Sequence, residues 1–177
     1  MAKILEKKSL LKSDRLEVIS AKAKLDNGNL VNFTYTKFPD VVSVVPVDKN
    51  NNVYLCKEWR VAWGKHIVQL PAGTCDSKKE EVNPSIRAHK ELKEEVGLKA
   101  KRLEKLVTFG ISANSRGLHH SFLATGLTKV KRTPEENEII EVIRMPIKKA
   151  YEMFLKGELT TSYTIAGIAL AKEKLEI

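Results

Sequence analysis

The segment from Asn83 to Gly97 limits what this chain can fold into more than any other. Asn83 is a favoured N-cap, Pro84 suits the first helical position, and Gly97 stands where a helix stops. Between them Ala88, Leu92 and Val96 recur every four residues and make one apolar stripe. A helix with one face committed to a core is therefore expected here. Strand-like segments lie on both sides of it. Residues 16–25 partly alternate, Asp26-Asn27-Gly28-Asn29 is a hairpin signal because Asn-Gly tolerates positive φ, and Val31, Phe33 and Tyr35 alternate with polar residues. Residues 41–47 are an apolar β-branched run, 48–52 a polar turn, and 53–60 are expected as the partner strand. Beyond the helix, 106–109, 119–124 and 139–144 read as strands. Pro146 can open a helix to about Leu155 that Gly157 closes, and a last helix spans roughly 162–175. The order predicts an α+β chain, a mixed β-sheet sandwiched between helices, with an N-terminal antiparallel strand region. No β-α alternation or glycine-rich fingerprint of a dinucleotide-binding fold is present.

The chain has 177 residues, which fits one domain, and no repeat or low-complexity linker divides it. No stretch offers the roughly 20 apolar residues of a membrane span. Charges break every apolar pair in MAKILEKKSLLKSD, so no secretory h-region is expected. Cys56 and Cys75 are too few for a disulfide framework or a cysteine zinc site, which suits reduced thiols in the cytoplasm. Lys and Arg total 31 against 22 acidic residues, a formal charge of +9 that favours anionic partners. The clusters Lys99, Lys101, Arg102, Lys105 and Lys129, Lys131, Arg132 read as solvated surface. No aromatic-interleaved basic stripe accompanies them, so nucleic acid is not the expected partner.

The chemistry-bearing residues are concentrated on the central helix. Glu91 and Glu95 are four apart and share a face, and Glu94 borders it. Like charges so placed repel unless they are solvated, countered by Arg or Lys, or bound to a hard cation such as Mg²⁺. Spacing alone also fits a salt-bridged surface helix, because Arg87–Glu91 and Lys90–Glu94 are i,i+4 pairs.

The surroundings favour a cation site. Gln69-Leu-Pro-Ala-Gly73 precedes the helix, and Glu91-Leu-Lys-Glu-Glu-Val-Gly-Leu98 resembles the second half of the Nudix hydrolase box at every fixed position. The first half departs from it. The motif Arg is Lys90, which keeps the charge but loses the guanidinium fork. The motif Glu falls on Val82 and the motif Gly on Asp76, unless three extra residues follow Gly73; Glu80 or Glu81 could substitute. The resemblance implies a Nudix fold, with Glu91, Glu95, Glu94 and the Ala72 carbonyl holding Mg²⁺, or Mn²⁺ as a second option.

Within the family, the chain from about residue 15 onward is most similar to the ADP-ribose pyrophosphatase branch. The likeness runs through residues 44–60, Leu-Pro-Ala-Gly, Phe122-Leu-Ala124 and the segments after Glu135. It implies hydrolysis of a nucleoside diphosphate linked to a small group, foremost ADP-ribose to AMP and ribose 5-phosphate. Arg60 would grip the diphosphate, as a planar guanidinium can. Trp59 would stack on the base, Arg116 would add a phosphate contact, and Glu136, or else Glu138, would serve as base, with Glu94 supporting catalysis. Gln69 stands where the branch often has Glu, and the usual Pro-Gly pair is replaced by Ser112 and Ala113. Adjacent His119 and His120 should point to opposite faces of a strand and be non-catalytic. The branch implies a homodimer formed through a strand region at 1–40, ahead of a hydrolase domain at 41–177. The rival readings are a non-catalytic nucleotide-binding sensor and an enzyme for nucleotide sugars, dinucleoside polyphosphates or capped RNA.

Overall fold

The computed structural model describes residues 1–75, 83–134 and 139–177. They divide into two units, Met1–Asp40 with Phe109–Leu118, and Val41–Thr108 with His119–Ile177.

The first unit is a sheet of β1 (Lys3–Lys12), β2 (Glu17–Lys24), β3 (Leu30–Lys37) and the short β9 (Ser115–Arg116), in that order. The first three strands pair antiparallel. The β2–β3 turn forms as the Asn-Gly signal predicts: Gly28 takes φ 87°, and its N–H donates to the Leu25 carbonyl at 2.9 Å. Its neighbour Asn29 donates its N–H to Asn27 Oδ1 at 3.0 Å. Strand β1 is exposed along its whole length, an edge strand studded with Lys3, Lys7, Lys8 and Lys12. Lysines at such an edge oppose unwanted strand pairing.

The second unit holds β4 (Val41–Pro46), β5 (Asn52–Arg60), β6 (Lys65–Gln69), β7 (Ala72–Thr74), β8 (Leu98–Gly110, whose last two residues belong to the first unit), β10 (Leu118–Lys129, whose first residue belongs to the first unit) and β11 (Ile140–Pro146). Its helices are α1 (Pro84–Val96), α2 (Ile147–Leu155) and α3 (Ser162–Lys174). One sheet runs β7-β4-β10-β8 and another β11-β5-β6. Strand β4 lies parallel to β10 and antiparallel to β7, so the sheet is mixed, as expected. The apolar run of β4 is buried on both faces. Val42 and Val44 join a core with Ala88, Leu92 and Val96 of α1, while Val45 packs with Ile147 and Ala150 of α2 and Ile168 and Ala171 of α3. The period of two along one strand thus feeds helices on both sides of the sheet.

The hairpin expected between residues 41–47 and 53–60 does not form. These strands belong to different sheets and touch through one bridge, Val47↔Val53. Asp48 closes the intervening turn by accepting from Asn50 N at 2.9 Å and Asn52 N at 3.0 Å. The chain then leaves β4, whose two edges are taken by β7 and β10.

Candidate active site

Helix α1 has the ends its sequence specifies. The Asn83 side chain accepts from Ser85 N at 2.9 Å, and Gly97 takes φ 66° while its N–H caps the Leu92 and Lys93 carbonyls. Seating the Ala88–Leu92–Val96 stripe in the core draws in the acidic positions beside it. Glu91 is 2% exposed and Glu95 is 3% exposed. Their burial sets this helix apart from an ordinary salt-bridged surface helix, because carboxylates are rarely so buried without partners.

Those partners are specific. Glu95 Oε2 accepts the Ala72 N–H at 3.0 Å and the Cys56 thiol at 3.6 Å. Burial, with Glu95 alongside, pushes the Cys56 thiol well above its ordinary range, so it stays protonated and donates. Glu91 is ion-paired to Arg87. Arg87 lies 3.8 Å from Glu94, as does Lys90. The cation at the buried carboxylate is therefore Arg87 rather than Lys90. Its i,i+4 spacing to Glu91 was the available signal, but spacing alone does not distinguish a buried pair from a surface one. Arg87→Met would leave a buried carboxylate without this cation and is expected to destabilise the fold by about 3 kcal/mol. Thermal melts check this; an unchanged midpoint would contradict it.

The Ala72–Gly73 segment is held from three directions. Leu70 N donates to the buried Thr164 Oγ1 of α3 at 3.0 Å, the Pro71 carbonyl accepts Val44 N at 2.9 Å, and Ala72 pairs with Ser43 in β4. Gly73 lies so close to α1 that an added Cβ would overlap the Glu91 carboxylate and reach within 2.9 Å of an Arg87 nitrogen. Space, rather than an unusual φ, favours glycine here, since any larger residue would force these side-chain ends to move.

Strand β5 extends the site. Side chains two apart share a face, so Cys56, Glu58 and Arg60 form a row that begins at Glu95. Arg60 pairs with Glu58 Oε2 at 2.9 Å. Trp59 is 50% exposed and belongs to the opposite face by the same alternation, away from the Arg60 row. Trp63 is exposed in the short 3₁₀ turn Val61–Trp63. Arg116 lies in β9 of the other unit. Glu136 and Glu138 lie outside the described residues, as do Asp76, Glu80, Glu81 and Val82.

His119 and His120 point apart. The His119 ring stacks on Tyr163 of α3 with centroids 5.0 Å apart, and its Nε2 is 2.9 Å from Ser43 Oγ. His120 Nδ1 is 3.0 Å from Thr108 Oγ1. Burial lowers the His119 pKa to about 4, so this ring is neutral near pH 7.

Glu91, Glu94 and Glu95, the last bonded to the Ala72 N–H, form a set of hard oxygen donors, with Arg87 and Lys90 beside them. Among the described residues, no three His, Cys, Asp or Glu side chains stand ready as a metal cage. A cation that keeps several waters and takes one or two carboxylates suits such a set.

The NUDIX domain model matches residues 37–164, and the chain belongs to the Nudix family. Its curated relatives include two proteins named ADP-ribose pyrophosphatase. The one from Mycobacterium tuberculosis is 32% identical over 151 residues, covering 82% of this chain and 70% of the relative. The one from Bacillus subtilis is 28% identical over 180 residues, covering 98% and 95%. A crystal structure described as an ADP compounds hydrolase shares the fold, with a TM-score of 0.86 at 20% identity over 99% of this chain and 94% of that one. The chain is thus a Nudix hydrolase of the ADP-ribose pyrophosphatase branch. Among the described residues, no helix is long and apolar enough to cross a membrane.

Proposed function

We propose that the protein hydrolyses a nucleoside diphosphate linked to a small group, foremost ADP-ribose, giving AMP and ribose 5-phosphate in a metal-dependent reaction in the cytoplasm. The observation that carries this reading is the pair of buried carboxylates on α1, with Glu95 fixed by the Ala72 N–H. Glu91 and Glu95, aided by Glu94 and the Ala72 carbonyl, would hold Mg²⁺ or Mn²⁺. Such an ion, when bound, offsets diphosphate charge and makes a bound water more acidic. Arg60 at the end of the β5 row would bind a phosphate oxygen. Glu136, or Glu138 beside it, would take the proton of the attacking water. Relatives named ADP-ribose pyrophosphatase support the choice of substrate. The +9 charge would draw the anion in. Trp59, on the β5 face opposite Arg60, would stack on the base, and Arg116 would add a phosphate contact.

The test is turnover, with Mg²⁺, of a panel holding ADP-ribose, a nucleotide sugar, a dinucleoside polyphosphate and capped RNA. The highest kcat/KM is expected for ADP-ribose. Failure on the whole panel would leave a nucleotide-binding sensor and refute the enzyme assignment to these substrates.

The strand region at 1–40 would join two copies into a homodimer, with 41–177 as the hydrolase domain. Exposed Ile4, Leu5, Leu10, Leu11, Leu30 and Phe33 give that region apolar surface to bury. Small-angle scattering should return twice the 19.9 kDa chain mass; a monomer at assay concentration refutes the dimer.

A further inference from the structure

Gln69 is 1% exposed, yet both ends of its amide are used. Its Cα partner across β5–β6 is Cys56, and that of Glu58 is Ile67, so Gln69 and Glu58 are diagonal neighbours on one face. Gln69 Nε2 donates to Glu58 Oε2 at 3.2 Å, and the same oxygen holds Arg60 at 2.9 Å. Gln69 Oε1 accepts the Tyr163 hydroxyl at 2.8 Å. The chemistry of the partners fixes this orientation. An ionised carboxylate only accepts, so the amide nitrogen faces Glu58 and the tyrosine donates to the other end. Tyr163 is anchored in turn by its stack on His119. A hydrogen-bonded line therefore runs from Tyr163 of α3 to the half-buried guanidinium at the end of β5.

We propose that Gln69 is a positioning residue for substrate binding: it orients Glu58, and Glu58 holds Arg60 in the pose that receives a phosphate oxygen of the diphosphate. The proposal rests on the reading of Arg60 as the diphosphate contact. It also gives the amide a reason. A glutamate at this position would set two carboxylates face to face with no proton between them. The amide supplies the missing donor and leaves Glu58 charged for Arg60. Without it, Arg60 must be ordered each time substrate binds, a cost that falls on KM rather than kcat.

The test compares Gln69→Glu, Gln69→Met and wild type, as KM and kcat for ADP-ribose between about pH 5 and pH 8.5. A protonated glutamic acid copies the amide, its O–H donating to Glu58 and its carbonyl accepting from Tyr163; an ionised one cannot. Position 69 is faced by Cys56 and Glu58 of β5 and Tyr163 of α3, with Arg60 beyond Glu58, Glu95 of α1 beyond Cys56, His119 of β10 behind the tyrosine and Lys65 on its own strand. All are present in wild type, so the ratio of variant to wild-type KM isolates the new group. That ratio is expected near one at low pH and to rise about tenfold at high pH for Gln69→Glu, with a flat kcat ratio. Gln69→Met is expected about tenfold up in KM at every pH. A KM ratio for Gln69→Glu that does not change with pH overturns the proposal. Arg60→Ala separates the two readings: an unchanged KM there refutes the diphosphate contact itself. A substrate-free arm is the heteronuclear NOE of the Arg60 Nε–H. It should report order in wild type and its loss in Gln69→Met, and equal order in both overturns the proposal even if no substrate is turned over.

Discussion

Glu95→Gln is expected to lower kcat for ADP-ribose by about 10²–10³-fold while leaving the fold in place. The exchange keeps the shape, and the new carbonyl oxygen can still accept the Ala72 N–H and the Cys56 thiol that now bond Glu95 Oε2. The variant lacks the negative charge at a site 3% exposed to water, where charge is hardly screened. Lewis-acid stabilisation of a phosphoryl oxygen is worth several kcal/mol, and each 1.36 kcal/mol is tenfold in rate, which sets the size of the loss. Steady-state kinetics with excess Mg²⁺, alongside a melting curve, checks both halves. Wild-type turnover by a folded Glu95→Gln protein would remove Glu95 from the metal site.

Gly73→Ala is expected to cost both stability and rate. The added methyl would overlap the Glu91 carboxylate and crowd Arg87, so this buried ion pair would have to shift. Overpacking of this kind costs about 1–3 kcal/mol, and a shift of about 1 Å in a catalytic group can lose roughly 10²-fold in rate. The expected result is a lower melting midpoint and kcat/KM down about 10²-fold, with Mg²⁺ affinity weakened in parallel. A variant with wild-type kinetics would mean that Glu91 has slack the close approach of Gly73 denies.

Local signals were legible in the sequence, and distant pairings were not. Asn83, Pro84 and Gly97 mark α1 because caps act within a turn of the helix end. The β-branched run at 41–47 reads as buried, yet nothing in it names β10 as its parallel partner, with Val44 set against Phe122. The hairpin expectation for 53–60 failed for that reason, since sequence proximity stood in for a register set by packing. Strand β1 was obscured because its residues are exposed throughout and show no alternation to read. At the site, the spacing of Glu91 and Glu95 was plain, but their burial comes from the sheet beneath α1. Arg87 looked like half of a surface pair and proved to be the cation at Glu91. Gln69 looked like the loss of an acid, whereas its amide donates to Glu58 and accepts from the Tyr163 hydroxyl.

The most direct test of the central claim is ³¹P NMR of ADP-ribose incubated with the wild-type protein, with and without Mg²⁺. With Mg²⁺ the diphosphate resonances should disappear and two phosphomonoester signals, those of AMP and ribose 5-phosphate, should grow in equal amounts. With the metal chelated, the spectrum should stay unchanged. Intact diphosphate after prolonged incubation with Mg²⁺, or cleavage that proceeds equally well in chelator, would contradict a metal-dependent ADP-ribose hydrolase built on the carboxylates of α1.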